Sequence, residues 1–431
     1  MSEQRPENLC LVPWTGFSND PNGKVRPCCI FKGYIEKENS DPYYVQESSL
    51  KEIMSSEYMK TLRTEFRNNE KPTPCSTCWN DEDCGRKSKR ITYNEEVSKE
   101  HSEIDWKSEP ELPIEYQMII SNSCNLKCRS CGPSHSSLWQ QEHNKYHGHT
   151  GYEMIHGQPG NDESVLWKDR HSWYPHLRRL EVVGGEPMYI KKWHQIFNEL
   201  IEGGYAKDIV LDMSSNANIF LKDELYYWAD NFKRVGIGLS VDGTGVVYNY
   251  MRSAGNWFKV WNNMEKYHTV MEYYHASTGK PASRYGYKKL FVQVSFTLSW
   301  LNALELPKMH KILREKFPLF KIWNNLVYAP EWMSLRYAPQ ELKDLIKQNW
   351  SEFDWGDYQK DIDGFINFMN MPSADEDTFK YFMSKCSSLD AARNDSLFNI
   401  VPEYRSVLEK YVTKSNLPYF QTNTIPIVEI K

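Results

Sequence analysis

From residue 114 onward, short apolar runs alternate with amphipathic stretches. The runs IEYQMIIS (114–121), LRRLEVV (177–183), DIVLDMS (208–214), VGIGLSV (235–241), LFVQVSFTL (290–298) and LFKIWNNLVY (319–328) have the length and residue types of strands. Between them, the stretches 189–202, 221–232, 256–274 and 304–317 read as amphipathic helices. Strands separated by helices at this spacing predict βα units and a parallel sheet. Right-handed crossovers curl six such units into an open structure, short of the eight strands of a closed barrel. The expected class is therefore α/β, a partial (β/α)6 TIM-like barrel over residues 113–330.

Residues 1–112 do not share that rhythm. Prolines and glycines from Pro13 to Pro110 interrupt any long period. One helix is predicted over 48–68, where Leu50, Ile53, Met54, Met59, Leu62 and Phe66 make a rough stripe behind Ser48 or Ser49. The rest of this part reads as a loop-rich, cysteine-bearing region. After Pro330 the strand pattern stops, and 331–431 reads as a polar, helical C-terminal extension.

Composition narrows the function classes. The 431 residues are 40% hydrophobic and 14% aromatic, enough for a large core. Lys and Arg number 52 against 57 Asp and Glu, a net charge of −5, so neither non-specific nucleic-acid binding nor docking on an acidic membrane is expected. No run approaches ~18 apolar residues, and MSEQRPENLC has no apolar leader core; a cytoplasmic protein is expected.

Cysteine placement changes the picture more than composition does. Nine of the ten fall in two groups, Cys10, Cys28, Cys29, Cys75, Cys78, Cys84 and then Cys124, Cys128, Cys131, with Cys386 alone. In a reducing compartment, clustered thiols point to metal or redox sites. The first predicted strand of the barrel runs into SNSCNLKCRSCGP, with spacing C-x3-C-x2-C. A tight loop at a strand's C-terminal end turns three thiolates toward one point, and three thiolates hold three irons of a [4Fe–4S] cube while the fourth stays open. The alternative is a zinc knuckle completed by His135.

The following strand ends carry short polar or glycine-rich motifs. They are Gly184-Gly185-Glu186-Pro187, then Ser214-Ser215-Asn216, then Ser240, Asp242 and Gly243, with Arg252 beyond. Paired glycines admit close backbone approach, and a carboxylate binds an ammonium. Singly, these are turns, caps and ion pairs; their order on successive strand ends suits a ligand with an amino acid end, a ribose and an adenine.

Residues 115–330 resemble the radical S-adenosylmethionine (radical SAM) superfamily. The resemblance implies that Cys124, Cys128 and Cys131 hold a [4Fe–4S] cluster. It also implies that Gly184, Gly185, Glu186 and Pro187 bind the methionine amino group of S-adenosylmethionine. Ser214 and Asn216 match positions near its carboxylate or ribose, and Ser240, Asp242 and Arg252 resemble the region completing that site. The position before the third cysteine, commonly aromatic in the family, is Ser130 here; adenine packing then comes from elsewhere, with Tyr328 a candidate.

The N-terminal cysteines resemble SPASM and twitch cluster-binding regions, placed before the barrel rather than after it. That resemblance implies one auxiliary [4Fe–4S] cluster on Cys10, Cys28, Cys75 and Cys78, with Cys29 an alternative to Cys28. A full SPASM pattern expects a further cysteine where Ser88 stands. A four-cysteine zinc cage is the competing occupant. The basic run Gly85–Arg90 reads as a solvated charge run, Cys386 as a packed thiol, and Trp139, Trp167 and Trp173 as core or lid residues. The histidines at 135, 143, 147, 149 and 156 read as surface or lid residues.

The expected activity is that of a radical SAM oxidoreductase or modifying enzyme. A peptide or protein is the first substrate expectation and a small alcohol or sugar the second, with a flavodoxin or ferredoxin as electron donor. A zinc-stabilised binding protein is the alternative from another class.

Overall fold

The computed structural model describes residues 5–101, 104–147, 158–278 and 289–412. Its centre is one open sheet of eight strands in the order β2-β1-β3-β4-β5-β6-β7-β8. The strands are β1 (Gly16–Asn19), β2 (Val25–Arg26), β3 (Glu115–Met118), β4 (Arg179–Val182), β5 (Val210–Ser215), β6 (Arg234–Ser240), β7 (Leu290–Leu298) and β8 (Lys321–Leu326). All neighbours are parallel except β1 with β2.

The six strands expected from 114 onward are β3 to β8, and the helices Lys191–Glu202, Lys222–Asn231, Trp257–Thr278 and Leu306–Lys316 fall between them as expected. Two strands were not expected. The N-terminal region donates β1 and β2, and β1 pairs in parallel with β3, Phe17 opposite Tyr116.

Alternation across the sheet decides what each face does. One face presents Phe17, Tyr116, Leu180, Leu211, Met213, Ile237, Val292, Val294 and Ile322, all buried. They form one core with Trp193, Ile196, Leu225, Trp228 and Met264 of the intervening helices. The residues between them, Ser18, Gln117, Glu181, Asp212, Ser214, Gly238 and Gln293, share the opposite face by register. That face borders two small cavities, about 40 Å³ beside β1, β3 and β4 and about 70 Å³ beside β4 to β7, both lined by Arg179 and Glu181.

The N-terminal ends of the strands on the polar face meet the helix Lys89–Glu100, whose Ser88 cap accepts from the Ile91 N–H. Buried Arg179, opening β4, reaches Glu96 Oε2 at 3.3 Å and Asp212 Oδ2 at 3.5 Å, and Arg234, opening β6, reaches Glu100 at 3.6 Å. Buried ions persist only when paired, so this helix is fixed to the sheet by charge as much as by apolar contact.

The cysteine region is more ordered than a set of loops. Instead of one helix over 48–68 there are two, Leu50–Met54 and Glu57–Arg67, because the Ser56 side chain accepts from the Met59 N–H and starts a new helix there. Cys78 lies within the helix Ser76–Asp83, and Cys75 and Cys84 flank it. The basic run is not a solvated face: Arg86 pairs with Asp81, Lys87 with Glu95, Lys89 with Cys29, and Arg90 with Glu82. The extension after Pro330 is helical through Tyr411 among the described residues. It is anchored by Trp350, whose indole donates to Ala303 O, and by the Tyr404 hydroxyl, which donates to Trp300 O. Among the described residues no helix is long and apolar enough to cross a membrane.

Candidate cluster and cofactor site

The loop after β3 is held from several sides. The Lys127 N–H donates to Ser253 O and the Arg129 N–H to Met251 O, tying residues 127–129 to the segment after the helix Gly245–Met251. The Cys124 N–H donates to Ser137 Oγ, and the Trp139 indole donates to Cys128 O at 3.0 Å. So Trp139 is a core residue with a specific task, bracing the cysteine loop. The Leu126 N–H lies 3.4 Å from Cys124 Sγ, a contact that favours thiolate.

The three thiols stand within one another's electrostatic reach. Burial, followed by the charge of Cys128, pushes the Cys131 thiol up to about 12. Burial raises Cys128 to about 11, opposed by Arg252, whose Nη1 lies 3.7 Å from its sulfur. Cys124 is raised as well, again chiefly by burial. Three half-buried thiols, of which Cys128 and Cys131 are raised by their neighbours, make a poor resting place for negative charge unless a cation joins them, and a coordinated metal deprotonates thiols outright. The donor set and its surroundings therefore fit the three-thiolate cluster that the resemblance implies.

The remaining motifs converge on this loop. Gly185 has φ +56°, and an added Cβ would lie 2.3 Å from Ser123 O, so only glycine lets the turn after β4 rest on the cysteine loop. The Glu186 N–H donates to the same Ser123 O. The Glu186 carboxylate is buried and accepts from the Met188 N–H (3.1 Å), the Ser215 hydroxyl (3.0 Å) and the Asn216 N–H (2.6 Å), joining the ends of β4 and β5. Burial pushes it up to about 7 even though these three bonds and Arg252 favour the anion. The Asn216 side chain donates to Asn125 Oδ1 in the cysteine loop at 2.7 Å. Asp242, fully buried, accepts from the Thr297 N–H and pairs with Arg252 at 2.8 Å. Ser214 and Ser240 stand on the polar sheet face, beside Gly238 and Ser295 respectively. Pro187 opens the short 3-10 turn Pro187–Tyr189.

Tyr328, the candidate for adenine packing, is engaged elsewhere. Its hydroxyl donates to Asp81 and accepts from Arg86 at 2.6 Å, so it ties the end of β8 to the cysteine region. His135 bonds Ser134. His149 and His156 lie outside the described residues. Among the described residues, no three or more His, Cys, Asp or Glu side chains are drawn together closely enough to hold a single metal ion.

In the N-terminal region, Cys10 is raised by burial and then by Cys28, with smaller effects from Cys75 and Cys78. Burial likewise raises Cys75 and Cys78, and Cys28 to about 12. These four thiols feel one another. Exposed Cys29 turns to Lys89 Nζ at 3.0 Å instead, and Cys84 meets Met371 Sδ at 3.8 Å. One buried and three half-buried thiols, with Cys10, Cys28 and Cys75 each raised by neighbouring thiols, again suit a cationic occupant. Sequence reading missed Asn125 as part of the rim, and Arg129, Asp390 and Arg393 as the residues that hold the cysteine loop from behind. Asn125 is next to Cys124 in sequence and could have been found; the others carry no motif.

Residues 10–79 match the SPASM model, an iron–sulfur cluster-binding domain, so the N-terminal cysteine region carries a domain of that kind. No curated protein matches the chain. A solved structure of native anSMEcpe with bound AdoMet is 20% identical, with 63% of this chain and 64% of that chain covered and a TM-score of 0.37. Streptococcus suis SuiB bound to precursor peptide SuiA is 13% identical, with 82% and 64% covered and a TM-score of 0.28; SuiB without the peptide gives 12%, 96%, 76% and 0.30. The chain thus spans less than two thirds of the length of the anSMEcpe structure. These are loose likenesses.

Proposed function

We propose that the protein is a radical SAM enzyme, with the open eight-stranded sheet acting as a partial barrel whose polar face receives the substrate. The observation that carries this reading is the convergence of four separate motifs, Cys124–Cys131, Gly184–Pro187, Ser215–Asn216 and Asp242–Arg252, at the C-terminal ends of β3 to β6. A zinc scaffold has no use for that rim. The chemistry supplied by a [4Fe–4S] cluster, once bound, is the one-electron cleavage of S-adenosylmethionine to methionine and a 5′-deoxyadenosyl radical that takes hydrogen from a substrate.

The chain's own residues then have separable tasks. Cys124, Cys128 and Cys131 hold the cluster. Gly184 and Gly185 bring backbone against the cysteine loop, and Glu186 keeps one of its carboxylate acceptor positions for the ligand's ammonium. Asn216, Ser214 and Ser240 offer polar groups to carboxylate and ribose. Arg252, neutralised by Asp242, places a guanidinium against the Cys128 sulfur. The apolar packing outside and the charged helix Lys89–Glu100 below shield the polar face, where a reactive radical requires exclusion of water and close placement of substrate.

In this reading residues 1–112 carry one auxiliary [4Fe–4S] cluster on Cys10, Cys28, Cys75 and Cys78, 113–330 the partial barrel, and 331–431 the extension. A peptide or protein is the preferred substrate, since the SPASM kind of region accompanies such substrates in the enzymes this chain resembles; a small alcohol or sugar is the second. Flavodoxin or ferredoxin supplies electrons. The test is anaerobic reconstitution with reductant and S-adenosylmethionine. 5′-Deoxyadenosine should form in the native chain and not in Cys128→Ala; equal amounts in both, or none in either, defeats the reading.

A further inference from the structure

One arginine in the cysteine loop is turned away from the rim. Arg129 lies between Cys128 and Cys131, its side chain is fully buried, and it belongs to no motif named so far. Its Nε donates to Tyr250 O at 2.9 Å and its guanidinium stacks on the Tyr250 ring at 3.6 Å. Its Nη2 pairs with Asp390 Oδ1 at 2.7 Å and with Asp395 Oδ2 at 3.0 Å. Both acids come from the C-terminal extension, at the end of the helix Glu376–Arg393 and just past its left-handed Asn394 cap.

The same helix end reaches the loop a second way. Arg393 pairs with Glu142 at 3.0 Å, donates to Ser253 Oγ and lies over Trp139, the residue whose indole braces Cys128 O. Glu142 also pairs with Lys127 of the loop. One helix terminus thus meets the loop through two ion-pair groups on two sides.

Charge arithmetic gives the consequence. Arg129 faces two carboxylates, so the group Arg129–Asp390–Asp395 carries −1 in place of the +1 Arg129 would hold alone, while the second group, Lys127, Arg393 and Glu142, carries +1. A cation beside an iron–sulfur cluster favours its reduced form and raises its potential, whereas an anion lowers it; charge is one of the protein's levers on such a centre. S-adenosylmethionine cleavage needs a strongly reducing cluster. We propose that Asp390 and Asp395 are positioning residues of the cluster site: they draw Arg129 out of the loop, offset its charge and hold the reduction potential low. The C-terminal extension would then be the second wall of the cluster site. This rests on the radical SAM reading above.

The experiment uses the full chain, reconstituted anaerobically, and follows the electron paramagnetic resonance signal that Cys128→Ala abolishes, titrated against potential. Three variants are compared: Asp390→Asn with Asp395→Asn, Arg129→Met, and all three together. The paired asparagines should shift the midpoint positive, Arg129→Met should shift it negative, and the triple variant, one charge more positive than native, should lie between the native and the paired-asparagine values. A purely structural role moves no potential by sign and leaves the triple variant worst of all. Shifts of one sign, or none, overturn the inference. If the paired-asparagine chain does not retain its cluster, Arg129→Met decides alone, and an unchanged or positive shift overturns the inference. A native chain lacking the Cys128-dependent signal overturns the radical SAM reading itself, which separates the two failures.

Discussion

The proton on Glu186 offers the sharpest quantitative test of the rim. A carboxylate has about four acceptor positions, and the Met188, Ser215 and Asn216 donors take three, two on Oε1 and one on Oε2. One position on Oε2 remains for a ligand donor. Because burial raises this group to about 7, a large share of it is protonated near neutrality. An ammonium pairing there must displace that proton. At pH 6.5 a group of pKa about 7 is about three-quarters protonated, while a ligand α-amino group of pKa about 7.7–8.0 is almost fully charged. Binding should therefore release about 0.7 proton, and the dissociation constant should fall about sixfold between pH 6 and pH 7.5, the loss of charge on the ligand amino group included. Calorimetry in two buffers of different ionisation enthalpy measures the proton count directly. Glu186→Gln should bind more weakly and lose the acidic limb of the profile. Equal proton release in native and Glu186→Gln chains would refute the placement of the ammonium at this carboxylate. The same group makes folding pH-dependent: its folded pKa lies above the unfolded value of 4.5, so the folded chain binds the extra proton, and stability falls as pH rises from about 4.5 to about 7.

Arg179→Met should remove the buried cation that faces Glu96, Glu115 and Asp212 and lower stability by about 3–5 kcal/mol, seen as earlier urea unfolding and faster proteolysis near residue 100; an unchanged midpoint would show that the network carries no net stability. Cys28→Ser should lower iron per chain at the auxiliary site, whereas Cys29→Ser and Cys84→Ser should leave it at the native level, read by metal analysis; iron loss in Cys29→Ser would exchange the two neighbours' roles. Gly185→Ala should add about 1–2 kcal/mol of backbone strain on top of the clash with Ser123 O and weaken S-adenosylmethionine binding. Native affinity in that variant would mean the turn can move away from the cysteine loop.

Much of the sheet was legible because β3 to β8 expose one apolar row to a core, and a row of that kind survives in the sequence as a run or an alternation. β1 and β2 were illegible for the opposite reason. GFSN and VR are too short to show a period; β1 is a strand through its pairing with β3, about 100 residues away, and β2 through its pairing with β1. The helix Lys89–Glu100 was hidden because it buries Arg90 and Glu96, whose partners are ions rather than apolar neighbours. A reading based on hydropathy takes such residues for solvent-facing ones. The rim motifs were found because each is contiguous and sits at a strand end. The link of Arg129 to Asp395 spans 266 positions and has no local signature.

The pairing of β1 with β3 makes the N-terminal region inseparable from the sheet that carries the rim. Removing residues 1–112 would not liberate a smaller stable domain. It would strip the partner from β3, leave its N–H and C=O groups open to solvent, and present a bare edge on which further copies could stack. If the N-terminal region holds the cluster proposed for it, loss of that cluster should be felt as precipitation.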